Sequence, residues 1–84
     1  MRKKEKVREM AVLNMAATGA NIRALMAAAG VTAAEVAQML GLTTANAVYR
    51  WMNGTAVPSI DNLILLRDIL GAGLDEILVT DRVA

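Results

Sequence analysis

Apolar residues recur at helical spacing in a series of short stretches, divided by glycine, proline and hydroxyl residues. Ile22, Leu25 and Met26 mark a helix that Asn21 caps and Gly30 ends. Val36, Met39 and Leu40 mark a second, capped by Thr32 and stopped at Gly41, which can take the left-handed conformation. A third follows almost at once over 44–53, with Val48, Trp51 and Met52 on one side and Asn46, Tyr49, Arg50 and Asn53 on the other. After the loop Thr55-Ala56-Val57-Pro58, Ser59 caps a helix carrying Ile60, Leu63, Leu66 and Leu70, and Gly71-Ala72-Gly73 ends it. A last turn or two, Leu74 to Val79, opens with Asp75 and Glu76, where the helix dipole favours acids.

Before these five helices, residues 5–17 predict another, with Val7, Met10, Leu13 and Ala17 along one side, interrupted by Thr18-Gly19-Ala20. The chain thus divides into an extension over 1–20 that is either helical or disordered, a helical domain over 21–79 and a tail over 80–84. The expected core is Ile22, Leu25, Val36, Leu40, Leu42, Val48, Trp51, Ile60, Leu63, Leu66, Leu70 and Leu74. Ala37, four residues before Gly41, is small enough to let the second and third helices approach closely. Leu65 and Ile69 lie on the flank away from the inward stripe, and with Leu78 they form the expected dimer interface.

Composition narrows the picture. Eighty-four residues make one small domain. With neither cysteine nor histidine, disulfides, thiolate metal sites and the usual general base are all excluded, so an enzyme, a metal site and a cofactor are not expected. Alanine, leucine, valine, isoleucine and methionine dominate and the aromatics are Tyr49 and Trp51, which favours an all-α fold. No run reaches the roughly 18 to 20 apolar residues that cross a bilayer. The basic start followed by an apolar stretch has the outline of a signal peptide, but Glu5, Glu9 and Asn14 argue against one, and cytoplasmic residence is expected.

The net charge of +1 hides an uneven distribution: Arg2, Lys3, Lys4, Lys6 and Arg8 are five of the nine basic residues. From residue 11 onward four arginines stand against six acids. Such a body cannot bind DNA by bulk attraction, so binding must rest on a local patch, on the basic run, or on dimerisation. The basic run is either an arm laid along the DNA backbone or a solubilising tail.

Several motifs carry a resemblance: Asn21-Ile22-Arg23-Ala24-Leu25-Met26, the unit from Glu35-Val36-Ala37 to Gly41-Leu42, Val48-Tyr49-Arg50-Trp51 with Gly54, Pro58-Ser59-Ile60-Asp61-Asn62-Leu63, and Leu70-Gly71 with Leu74-Asp75-Glu76-Ile77-Leu78. In this order, from Asn21 to Val79, the chain resembles the Xre/Cro family of lambda-repressor-like helix-turn-helix domains. The resemblance implies a compact five-helix domain of prokaryotic or phage type. It also implies sequence-specific binding of double-stranded DNA by the third helix, and a homodimer that acts as a transcriptional regulator, more often repressor than activator. In the usual pattern six residues separate the turn glycine from the first buried residue of the third helix. Gly41 to Val48 is seven. Either the turn carries an extra residue or the helix begins in a shifted register, and either Thr43 or Thr44 caps it.

A helix in the major groove needs hydrogen-bonding side chains near its N-terminus. Asn46 suits this role because its amide can pair bidentately with an adenine edge; Thr44 and Ala45 are short enough to touch a thymine methyl. Tyr49 either reaches a phosphate or sugar or packs as a lid over the core. Arg50, beyond the reading turn, suits a phosphate. Asn53 and Thr55 after the helix, and Thr32 and Gln38 around the second helix, are further backbone-contact candidates, the free amides at that helix's N-terminus favouring a phosphate. The competing reading is a protein-interaction module of the same fold, an antitoxin or adaptor whose exposed apolar surface meets a protein partner.

Overall fold

The computed structural model describes residues 11–82. It contains β1 (Ala11–Leu13), α1 (Met15–Ala29), α2 (Ala33–Met39), α3 (Asn46–Met52), α4 (Ile60–Leu70), α5 (Leu74–Ile77) and β2 (Thr80–Arg82). Five helices are present as expected, but the fold is mostly rather than wholly helical. β1 and β2 pair antiparallel, Ala11 opposite Arg82, Val12 opposite Asp81 and Leu13 opposite Thr80.

The first third of the chain departs most from expectation. Residues 5–10 of the expected N-terminal helix lie outside the described residues, while Ala11–Leu13 are extended. α1 starts after Asn14, whose side-chain oxygen accepts from the Ala17 N–H at 2.8 Å, and runs unbroken through Thr18-Gly19-Ala20 to Gly30. Gly19 does not break the helix because its backbone still bonds helically and tertiary contact selects it. A Cβ there would lie 2.4 Å from the Trp51 carbonyl oxygen and 2.8 Å from that of Met52. The missing side chain lets α1 lie directly on the end of α3.

Asn21 is likewise not a cap. Its amide donates to the carbonyls of Glu76 and Ile77. Thr18, fully buried, accepts from the Val79 N–H at 2.9 Å and donates to the Val79 carbonyl at 3.4 Å, while the Asn14 N–H donates to the same carbonyl at 2.8 Å. Asn14, Thr18 and Asn21 lie on one face of α1 by spacings of four and three, and together they fasten the chain after α5. This diversion of the backbone is why α5 stops at Ile77 instead of reaching Val79, Leu78 turning to an extended conformation. Thr18→Val keeps the side chain's shape but leaves the Val79 N–H without its acceptor, while the Val79 carbonyl keeps the Asn14 N–H. The expected cost is about 1–3 kcal/mol, read from urea unfolding.

The core joins all five helices: Ile22 and Met26 of α1, Val36 and Ala37 of α2, Val48 and Trp51 of α3, Leu63, Leu66 and Leu70 of α4, and Ile77 of α5. Leu25, Leu40, Leu42 and Leu74, expected inside, are half-buried against it. Ile60 is a correction, being 70% exposed. It is the first residue of α4 and lies off the Leu63-Leu66-Leu70 stripe, and Pro58 is the buried residue at that end. Ala33, Ala72 and Ile77, absent from the expected core, are buried.

Candidate nucleic-acid interface

α2 begins with a reciprocal cap. The Thr32 hydroxyl accepts from the Glu35 N–H at 3.1 Å, and the Glu35 carboxylate accepts from the Thr32 N–H at 3.0 Å. The cap is the one read from the sequence, but it changes the expected phosphate subsite. Two amides at this helix end are already bonded, and a carboxylate stands where an anion was expected.

The turn occupies Leu40–Ala45. Gly41 is left-handed at φ 72°, and the Leu42 N–H donates back to the Ala37 carbonyl at 2.9 Å. α3 starts at Asn46, two residues later than the expected start at 44, with Ala45 in the cap position, so the extra residue between Gly41 and Val48 is taken up by the turn. Neither threonine is the cap residue. Thr44 nonetheless covers an orphan amide, its hydroxyl accepting from the Asn46 N–H at 3.3 Å.

The helix presents two chemically distinct faces. Val48 and Trp51 are buried, Trp51 to 4% exposure, and Ala45, Ala47 and Met52 are half-buried against the core. Asn46, Tyr49, Arg50 and Asn53 are exposed, as are Thr43, Thr44 and Thr55. Tyr49, at 52% exposure, is not a lid over the core. Of the ten sequence-named residues, Ala45 alone is not fully on the surface; Thr32 and Gln38 are exposed on and before α2. Thr55 closes the end of α3, its hydroxyl donating to the Arg50 carbonyl at 3.2 Å.

Arg23, given no role in the sequence reading, belongs to the same surface. From α1 its guanidinium donates to the Asn53 side-chain oxygen at 3.1 Å. The signal that could have singled it out is charge. From Met10 to Ile60 the chain holds two arginines, Arg23 and Arg50, and one acid, Glu35, whereas from Asp61 onward it holds two arginines and five acids. The acids are therefore concentrated on α4, α5 and β2, and α3 carries none.

Of the expected dimer residues, Leu65 is exposed, while Ile69 and Leu78 are half-buried and pack against the core. Among the described residues no cluster of acidic side chains is arranged to hold a metal ion, and no helix is long and apolar enough to cross a membrane.

Comparison with known families matches residues 22–77 to a family model described as Helix-turn-helix, spanning α1 from Ile22 through the end of α5. No curated protein matches the chain.

Proposed function

The chain belongs to the Xre/lambda-repressor-like helix-turn-helix family, whose members bind DNA, and on that premise we propose that it is a sequence-specific regulator of transcription. In this reading it acts in the cytoplasm as a homodimeric repressor, without a cofactor, and reads the major groove of double-stranded DNA with α3. The observation that carries this is the outward face of α3: Asn46, Tyr49 and Arg50, continued by Asn53 at the C-cap, with no acid on the helix.

Asn46 stands at the first position of α3, where a groove-bound helix meets base edges first, and is the base reader. Thr44 and Ala45 beside it are short enough for a thymine methyl to approach. Tyr49 and Arg50 lie further along and take backbone contacts, joined at the helix end by Asn53 and Thr55, while Thr43 and Gln38 flank the reading turn.

Selection of bound duplexes from a random pool tests the proposal, followed by fluorescence anisotropy of the recovered site at several salt concentrations. A two-fold site with half-sites about one helical turn apart supports it. Enrichment of nothing, with weak binding lost at modest salt, sinks it in favour of a protein partner.

Arg50→Ala probes the phosphate assignment. Arg50 is exposed, so the fold is expected to survive. Affinity is expected to drop by a similar factor on every sequence, and the salt slope to flatten by about one per subunit. Selective loss at one base pair would instead make Arg50 a base reader.

A further inference from the structure

The two strands of the sheet differ in the chemistry of their outer edges. Asn14 and Val79 lie directly opposite one another in the β1–β2 register and are joined by a hydrogen bond. Bonded and non-bonded pairs alternate along an antiparallel ladder. Val12 and Asp81 are therefore the next bonded pair, and the N–H and C=O groups of Ala11 and Leu13 point away from β2. Among the described residues the sheet has these two strands alone. All three β1 residues are exposed and uncharged, Val12 at 46%. The other edge carries Asp81 and Arg82. Charge, proline or a bulge protects an edge strand from pairing, and β1 has none of them.

We propose that β1 is the surface on which a second copy of this chain docks, strand against strand about a two-fold axis at Val12. This rests on the dimeric reading above and gives that dimer an interface. An antiparallel pair centred on Val12 sets Ala11 opposite Leu13 of the second copy. These are the residues whose backbone groups face outward, so each such pair exchanges both of its bonds. Val12 then meets its own counterpart at a non-bonded position, where side chains approach most closely. A two-fold pairing through β2 would set Asp81 against Asp81. Addition of β1 to a second copy's β2 is head-to-tail and does not close. Met15, exposed at the start of α1, extends the apolar contact beside Leu13.

Sedimentation equilibrium of the full chain decides the matter, with circular dichroism as the check on folding. Val12→Glu puts two carboxylates face to face and is expected to raise the dimer dissociation constant about tenfold or more. An equimolar mixture with Val12→Lys is expected to restore association. Leu13→Pro removes an outward donor and leaves untouched the ladder bonds made by Val12 and Asn14, so it is expected to weaken the dimer by roughly tenfold or more with helix content unchanged. Leu65→Glu, on the α4 flank, is expected to leave the dimer intact.

A dimer indifferent to both β1 variants, or one dissociated by Leu65→Glu alone, overturns the inference. So does a wild-type chain that binds its DNA site as a monomer, although the DNA-binding reading then stands. If the chain binds no DNA, the functional reading fails and the sedimentation series still decides the interface.

Discussion

Gly19→Ala is expected to destabilise the protein by about 3–5 kcal/mol, a large part of its total stability, although the substitution improves the local helix propensity of α1. Judged within the helix, replacing an interior glycine by alanine should stabilise by about 1 kcal/mol. The crossing of α1 over the end of α3 reverses the sign. The added methyl falls 2.4 Å from the Trp51 carbonyl oxygen, 2.8 Å from that of Met52 and 2.9 Å from the Gly54 nitrogen, all backbone atoms that no rotamer change can move. α3 and α1 must therefore separate, which opens the contact between Ile22 and Met26 on one side and Val48 and Trp51 on the other. A domain of this size holds only about 5–10 kcal/mol, and overpacking with loss of core contact costs about 3–5 kcal/mol or more. Gly54 faces the same contact from the other side. It is left-handed at φ 75°, and a Cβ there would lie 2.8 Å from the Ala16 Cα, so Gly54→Ala is expected to act in the same direction. Thermal melts followed by circular dichroism read the result. A folded Gly19→Ala protein with a raised melting temperature would show that the crossing yields and that helix propensity governs this position.

Gly19 also shows where a sequence stops being legible. A glycine beside a threonine reads as an interruption when only neighbours along the chain are considered, and the backbone of α3 that selects it is far away in sequence. The strands fail for a related reason. Three residues are too few for period-two alternation to stand out, and the partner of Ala11 is Arg82, at the other end of the described chain. Local signals fared better. Thr32 and Ser59 cap the helices that follow them, as their positions in the sequence predict, Gly41 turns where expected, and the spacing of Val48 and Trp51 places both inside. These need only residues within a turn or two of one another. Ile60 stands three residues before Leu63, a spacing that suggests the inward stripe, but it lies to one side of the direction that Leu63, Leu66 and Leu70 share.

Both faces of α3 follow from this local legibility, and the sharper test of function acts on Asn46. Asn46→Asp replaces an amide by an isosteric carboxylate at the first position of α3. There the helix dipole favours a negative charge, so the variant is expected to be as stable as the parent or more stable by about 0.3–1 kcal/mol. Its effect on DNA binding is opposite in sign and larger. An amide that donates to and accepts from an adenine edge becomes a group that only accepts, and its charge is brought among phosphates. Losing a bidentate base contact costs about 1–3 kcal/mol per half-site. In a two-fold complex two such contacts are lost, so affinity for the selected site is expected to fall about a hundredfold or more while the melting temperature holds or rises. Anisotropy on the selected duplex, paired with a thermal melt of the same preparation, separates the effects. Unchanged DNA affinity in a stabilised Asn46→Asp protein would remove Asn46 from the interface and with it the N-terminal end of α3 as the reading turn. Stability and binding moving together would instead mark Asn46 as a residue that shapes the fold, because a surface that only touches DNA has no reason to couple them.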